Sequence, residues 1–114
     1  MLNKPVRIFL KGQAKESFLK LKTLKLKESK TIINSFNRIK EILKSNPQYG
    51  DPIKKSLIPR ELLKLGISNL YRVELSNYWR MLYTLEGDNV SVYLFVLSIV
   101  DHKEYNKLFR YKNK

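Results

Sequence analysis

Apolar and polar positions follow different periods along the chain, and each period predicts an element. Residues 6–10 alternate between apolar and polar at their start, as a short strand does. Apolar residues then recur at helical spacing, imperfectly over 18–26 and with a clear period of about 3.6 residues over 32–43. The proline after Asn46 ends the second helix, because the residue before a proline avoids helical backbone. Two helices joined near residues 27–30 predict an antiparallel hairpin with an apolar inner stripe.

The second half of the chain changes to turns and strands. Residues 47–69 are rich in proline and glycine and predict a connecting loop with one short helix between Pro59 and Gly66. Three strand-like stretches follow in close order, at residues 70–75, 78–86 and 90–100. This order predicts an antiparallel three-stranded meander.

The turns of this meander decide which side chains face the helices. A two-residue turn within residues 87–89 directs the odd-numbered positions of the middle strand towards the helix hairpin. An odd-length turn around residues 76–78 matches the preceding strand to the same face. Arg72, Glu74 and Arg80 are then expected together on the opposite, uncovered face.

The final stretch completes the expected architecture. Residues 101–114 carry Tyr105, Leu108 and Phe109 at helical spacing and predict a short, basic helix. We expect one domain over residues 1–114, since this length suits a single hydrophobic core. The fold class is α+β: an N-terminal strand, an antiparallel helix hairpin packed on the meander, and a C-terminal helix, with one sheet face open.

Charge is the least ordinary property of the composition. The chain has 23 Lys and Arg residues against 10 Asp and Glu residues, a formal net charge of +13. The excess lies in residues 1–64 and 102–114, whereas residues 65–101 hold more acidic than basic side chains. Such a charge predicts a polyanionic partner that carries phosphates or carboxylates. A lysine-rich face that is simply solvated is the alternative interpretation.

Several classes of site are excluded by residue type. The chain has no cysteine, which excludes disulfides, thiolate metal sites and cysteine nucleophiles. With one histidine and no paired carboxylates at ligand spacing, we expect neither a metal nor a small-molecule cofactor. The longest apolar-rich stretch, residues 90–100, is interrupted by serines and too short to span a membrane. Without a signal-peptide core near the N-terminus, the expected location is the cytoplasm.

Four stretches near the C-terminus belong together. They are LYRVEL at 70–75, YWRMLY at 78–83, LFVL at 94–97 and DHKEYNK at 101–107. In combination they resemble the RelE/ParE toxin superfamily, including its HigB-like branch. The resemblance depends on an aromatic-Arg-apolar-apolar-Tyr strand followed about twenty residues later by His-Lys-x-Tyr. It implies a RelE-like fold for the whole chain.

The resemblance also implies a function. Members are toxins of type II toxin–antitoxin systems that cleave mRNA, many of them in the ribosomal A site, and a small acidic antitoxin neutralises them. Members of the ParE branch instead poison DNA gyrase and lack the nuclease residues. A catalytically impaired relative that only binds RNA is a further alternative, because Glu74 replaces a residue that is often basic in the nucleases.

RNA cleavage without a metal needs a base, a cation for the phosphate oxygens and an acid for the leaving oxygen. Arg80 matches the family's strand arginine and is the candidate cation, since a guanidinium grips two phosphate oxygens. His102 matches the C-terminal histidine and suits proton transfer near neutral pH; its alternative role is to cap a helix. Tyr105 matches the family's tyrosine and is expected to orient or stack on a base, or else to pack against the sheet.

Two more residues belong to the expected catalytic group. Arg72 is placed to add a second phosphate contact. Glu74 is a candidate base, and its simpler role is an ion pair with Arg80 or Arg72 that competes with RNA. Further cations are expected to attract RNA through its phosphates. They are Lys54, Lys55, Arg60, Lys103, Lys107 and Arg110.

Overall fold

The computed structural model describes residues 4–109, which form a five-stranded mixed sheet and four α-helices. The strands are β1 (Val6–Leu10), β2 (Asp51–Pro52), β3 (Tyr71–Glu74), β4 (Arg80–Gly87) and β5 (Val92–Val100). The helices are α1 (Gly12–Leu24), α2 (Lys27–Ser45), α3 (Arg60–Leu63) and α4 (His102–Phe109), with short 3-10 helices at Lys55–Leu57 and Ser76–Tyr78. The predicted α+β class is confirmed.

Helices α1 and α2 form the pair that the apolar spacing predicts. Lys25 ends α1 in the left-handed conformation, with φ of 53°, and α2 begins two residues later, slightly before the predicted junction. Helix α2 ends at Ser45, before the proline, as expected. Its buried apolar stripe consists of Ile32, Phe36, Ile39 and Leu43. In residues 4–109, no helix combines the length and the apolarity that a membrane span requires.

The strands are ordered β1-β5-β4-β3-β2 across the sheet. The predicted antiparallel meander of β3, β4 and β5 lies in its centre. Two neighbours were not predicted. Strand β1 pairs in parallel with β5, and the two-residue strand β2 pairs with the outer side of β3. Both strands pair with partners that are distant in the sequence, and the local apolar–polar period does not indicate such pairings.

The turn between β4 and β5 is longer than expected. Gly87 pairs with Val92, so the loop spans residues 88–91 instead of two residues. The pairing is therefore displaced by two residues, and the side chains near this turn keep their predicted faces because faces alternate with every residue. Val90, expected on the core face, lies in the loop and is 69% exposed.

A β-bulge interrupts the same strand pair further along. Leu97 is an additional residue between the pairs Leu82–Ser98 and Tyr83–Val96. Beyond this residue, each side chain of β5 therefore points to the face opposite the one that it would occupy in a regular strand. Because of this residue, Ile99 faces the main core beside Met81, and Val100 packs in the apolar cluster on the opposite face.

The turn between β3 and β4 has the predicted odd length. Glu74 pairs with Arg80 across five connecting residues, 75–79, so both side chains share the outward face. Asn77 and Tyr78 have φ values of 60° and 63°, in the left-handed region. Non-glycine residues adopt this region at a cost of about 1–2 kcal/mol each. The backbone of this turn is therefore strained, and the pairing of the flanking strands maintains it.

Apolar clusters lie on both faces of the sheet. The main core joins α1 and α2 to Met81, Tyr83, Leu94 and Val96, as expected. The opposite face was predicted to be open, and this expectation is wrong for its centre. Helices α3 and α4 cover it with a second cluster: Ile58, Leu62, Leu70, Leu82, Val100 and Tyr105. The two ends of this face remain accessible, with Arg80 at one end and Phe9 at the other.

Candidate active site

Arg80 begins β4 and lies where the sheet meets the start of α4. Its Nε donates to Oε2 of Glu74 at 3.3 Å, and its Nη1 lies 2.9 Å from Nδ1 of His102. The guanidinium carbon lies 4.7 Å from the centroid of the Tyr105 ring, in a cation–π contact. The side chain is only 14% exposed, so these neighbours fix the direction of the guanidinium.

His102 is the first residue of α4, and the preceding residue caps this helix. Oδ1 of Asp101 accepts from the backbone N–H of Glu104 at 2.8 Å. The expected alternative of a capping histidine is therefore wrong. The exposed imidazole instead contacts Arg80 through Nδ1 and the Asn106 amide, 3.2 Å away, through Nε2.

The partners of His102 determine which ring nitrogen carries the proton. A guanidinium only donates hydrogen bonds, so Nδ1 accepts from Arg80 and carries no proton. The neutral ring then has its N–H at Nε2, which needs an acceptor. The amide of Asn106 supplies one when its Oδ1 faces the ring, an orientation related to the alternative by a simple flip. In this arrangement the lone pair of Nδ1 points at the guanidinium.

Tyr105 is buried and contacts both arginines of the site. It is 2% exposed, its ring lies against Arg80, and its hydroxyl accepts from Nη1 of Arg72 at 3.4 Å. Stacking of Tyr105 on a substrate base, one of the expected roles, is wrong because the ring is buried. The alternative expectation, packing against the sheet, is what the structure shows. Tyr105 thereby positions both arginines.

Arg72 lies between Tyr105 and the edge strand β2. Its Nη2 lies 3.5 Å from Oδ2 of Asp51, and its buried Nε has no hydrogen-bond partner among the described residues. The hydrogen bond to Tyr105 raises the pKa of the Arg72 guanidinium against the opposing effect of burial, and Asp51 raises it further. The side chain is 33% exposed and so stays accessible to a phosphate.

Glu74 forms the ion pair that the sequence suggested as its simpler role. Its carboxylate is 56% exposed while Arg80 beside it is largely covered. Pairs with one well-solvated partner contribute only about 0–1 kcal/mol. A phosphate can therefore replace this carboxylate at Nε of Arg80 at small cost.

Comparison with known proteins adds no relative. No family model, curated protein or solved structure matches this chain. In residues 4–109, no group of three or more His, Cys, Asp or Glu side chains is arranged to hold a metal ion. The contacts of Arg80, His102 and Tyr105 are therefore the main indication of function.

The outer cations expected to attract RNA are all exposed where the structure describes them. Helix α4 carries two of them beside the site, and three lie around the start of α3. These residues are Lys103 and Lys107 on α4, and Lys54, Lys55 and Arg60 near α3. None of the five takes part in the hydrogen bonds that hold Arg80 and His102. Arg110 lies outside the described residues.

Two participants were missed from the sequence. Asn106 lies one helical turn after His102, and this four-residue spacing within α4 was a signal that could have identified it. Asp51, which pairs with Arg72, lies in the loop region before β3 and had no such signal, since its strand of two residues has no period. Both residues orient a group of the site.

Proposed function

We propose that this protein is a RelE-like toxin that cleaves mRNA without a metal ion. The observation that carries the proposal is the contact between Arg80 and Nδ1 of His102 at 2.9 Å, with the guanidinium stacked on Tyr105. A permanent cation and a proton acceptor thereby meet on one partly exposed surface. Phosphodiester cleavage through the 2′-hydroxyl needs this pair of groups.

Binding of the substrate prepares the base. A phosphate displaces Glu74 and draws the guanidinium of Arg80 onto two of its oxygens, in the bidentate geometry that guanidinium groups favour. This movement releases Nδ1 of His102, which is unprotonated because it accepted from Arg80. The imidazole is then a free base next to the bound phosphate.

The reaction follows from this arrangement. Nδ1 of His102 takes the proton of the 2′-hydroxyl, and the 2′-oxygen attacks the phosphorus. Arg80 stabilises the charge that grows on the phosphate oxygens. The bond to the 5′-oxygen breaks, and this oxygen takes a proton from water. The products are a 2′,3′-cyclic phosphate and a 5′-hydroxyl end.

The proposal extends to topology, location and partners. A helix hairpin on one face of a sheet with a central meander supports a RelE-like arrangement. The net charge of +13 favours mRNA on the ribosome as the substrate and an acidic antitoxin as the inhibitor, with the cytoplasm as the common compartment. The antitoxin would neutralise the protein by competing for the same cations.

The test is cleavage of a defined mRNA, either free in the presence of EDTA or bound to ribosomes in the magnesium buffer that keeps them assembled. We expect new 5′ ends in the wild-type reaction and a 2′,3′-cyclic phosphate at the matching 3′ ends. Arg80→Gln and His102→Gln should each lower the cleavage rate about 100-fold or more, the usual contribution of such groups. Arg38→Gln, which removes an exposed arginine of α2, is the matched control and should cleave normally.

Three outcomes would overturn the proposal. Cleavage by Arg80→Gln at the wild-type rate would remove this residue from the mechanism. RNA binding by the wild type without any cleavage would favour the catalytically impaired alternative, which the pairing of Glu74 with Arg80 supports. Inhibition of DNA supercoiling by a non-cleaving wild type would instead favour a ParE-like poison.

A further inference from the structure

Three aromatic side chains lie side by side at the far end of the outward sheet face. Phe9 on β1 is the register partner of Phe95 on β5, and their ring centroids are 5.5 Å apart. Tyr93 follows on β5, 6.5 Å from each of the other two centroids. Phe95 stacks on both of the other rings, with interplanar angles of 28° and 19°, whereas Phe9 and Tyr93 are tilted by 36°, so the three rings form one contiguous cluster. We call Phe9, Tyr93 and Phe95 the aromatic row.

Cations border the aromatic row. Arg7 is the register partner of Tyr93 and is exposed. The ammonium group of Lys11 lies 4.6 Å from the centroid of the Phe95 ring. Glu86, the β4 partner of Tyr93, places a carboxylate at the opposite border. Positive charge therefore lies on the β1 side of the row, next to its most exposed ring.

The exposure of Phe9 is unusual for a large aromatic side chain. Phe9 is 43% exposed, whereas the apolar residues of β1 that face the helices are covered. An exposed ring that packs against two further rings and lies beside cations matches two needs of a single-stranded nucleic acid. Its bases stack on aromatic faces, and its phosphates are attracted by nearby Arg and Lys side chains.

We propose that the aromatic row binds the bases of single-stranded RNA. A base continues the stack at the exposed side of Phe9, and Arg7 and Lys11 contact the adjacent phosphates. The preference for RNA over DNA rests on the nuclease function proposed above. The aromatic row extends that function to a second contact region, remote from the reacting phosphate.

The aromatic row and the candidate active site lie on the same face of the sheet. Phe95 pairs with Thr84, four residues from Arg80 along β4, which is about 13 Å at the ordinary rise of a strand. A cleft of about 740 Å³ lies beside α4 and adjoins the aromatic row at Phe95. Phe95 and Lys11 line it at one end, and Lys107 of α4 lines its wall. One RNA strand can therefore contact both regions.

A second copy of the chain is the main competing occupant. Strand β1 is an edge of the sheet, and edges pair readily. Two copies would, however, bring the cations of both rows together in addition to a net charge of +13 each. The charge thus favours a polyanion on this surface over a like-charged protein.

The test measures binding of fluorescein-labelled oligouridine of about twelve nucleotides, within the site sizes of single-strand-binding surfaces. Its 2′-hydroxyls are methylated, so the nuclease reaction is blocked and binding is read alone. Fluorescence anisotropy gives Kd for the full-length wild type, Phe9→Ala, Phe9→Tyr and Arg7→Gln. Tyr49→Ala removes an aromatic ring of similar exposure, 47%, from the loop before β2 and is the matched control.

We expect Phe9→Ala to weaken binding about 5-fold to 100-fold, the range for loss of one base–aromatic stack, without a change in salt dependence. Phe9→Tyr keeps a ring and should bind like the wild type, as should Tyr49→Ala. Arg7→Gln should lower the slope of log Kd against log salt by about 0.7, the value for one phosphate contact on a single strand.

Equal affinity of Phe9→Ala and the wild type would overturn the inference, as would the absence of wild-type binding. A change from dimer to monomer in sedimentation of Phe9→Ala, with RNA affinity unchanged, would assign the row to a contact between copies. The outcome is separable from that of the proposed function. If binding depends on Phe9 but mRNA is not cleaved, the aromatic row is an RNA-binding surface and the nuclease proposal is rejected. If mRNA is cleaved but binding does not depend on Phe9, the nuclease proposal stands and the role of the aromatic row is rejected.

Discussion

At the scale of single residues, Arg80 is held by contacts of three kinds. The ion pair with the exposed Glu74 is weak, the cation–π contact with the buried Tyr105 is worth about 0.5–2 kcal/mol, and the hydrogen bond to His102 about 1 kcal/mol. The exposed partners can be displaced by a ligand, whereas the ring beneath cannot. The Tyr105 ring therefore keeps Arg80 at the site, while a phosphate can take the place of Glu74 and His102 at its guanidinium.

Removing the competing carboxylate should favour RNA. We expect Glu74→Gln to tighten binding of a non-cleavable RNA about 2-fold to 5-fold, because the variant loses an attraction worth at most about 1 kcal/mol. Single-turnover cleavage should not slow. Glu41→Gln, which breaks the exposed pair with Lys44 on α2, is the control and should leave affinity within about 2-fold. A large loss of cleavage by Glu74→Gln would make Glu74 the base in place of His102.

The buried phenol of Tyr83 predicts a loss of stability at high pH. Burial raises the pKa of Tyr83 to about 12, although the N–H of Gly50 donates to its oxygen and opposes the shift. An unfolded tyrosine loses its proton near pH 10, so between about pH 10 and 12 the unfolded state holds fewer protons and stability falls as pH rises. The fall attributable to this group should reach roughly 2–3 kcal/mol.

Denaturant titrations of the wild type and Tyr83→Phe between pH 8 and 12 check this expectation. The variant loses the hydrogen bond that Tyr83 donates to the carbonyl of Pro47 and should start less stable. Its stability should decline less steeply with pH, since the titrating group is gone. Parallel curves for the two proteins would show that Tyr83 does not contribute.

At the scale of elements, α4 makes two different contacts with the sheet. The side with Tyr105 closes the second apolar cluster, and the end with His102 meets β4 at Arg80. A helix of eight residues is too short to be stable alone, so its position depends on packing against the sheet. The apolar packing of Tyr105 against the sheet therefore determines where His102 lies relative to Arg80.

The end of α1 offers a direct test of local strain. Lys25 adopts a left-handed conformation that glycine accepts without cost, so Lys25→Gly should raise the free energy of unfolding by about 0.5–1 kcal/mol. Lys20→Gly, in the middle of the same helix, should lower it by a similar amount. Chemical denaturation of both variants measures the difference, and destabilisation by both would contradict a left-handed junction.

Local patterns predicted the elements that depend on local spacing, and missed what depends on distant partners. The stripe of α2 and the odd-length turn at residues 75–79 follow from period and parity, so the shared face of Glu74 and Arg80 was predictable. The pairing of β1 with β5 joins strands that are far apart in the sequence and leaves no local signal. The second apolar cluster, which buries Leu82 on the outward face of the sheet, was not predicted. The alternation of a strand does not show on which face a helix packs.

At the scale of the whole molecule, charge opposes compactness. A net charge of +13 on 114 residues gives repulsion that salt should screen, since the screening length falls from about 10 Å at 0.1 M to about 3 Å at 1 M. We expect Tm to rise by a few degrees between 0.05 and 0.5 M NaCl, as about 1 kcal/mol would produce in a domain of this size. A Lys15→Gln and Lys20→Gln double variant should show a smaller rise, and a fall in Tm with salt would contradict the expectation.

The parallel pairing of β1 with β5 also has a consequence for synthesis. Strand β1 leaves the ribosome well before its partner β5 has been made, and His102 follows β5. Pairings across such separations form slowly, because the intervening chain must first be brought together. The sheet is therefore complete only after β5 has been made, and the proposed nuclease has no assembled site while the strands before β5 are translated.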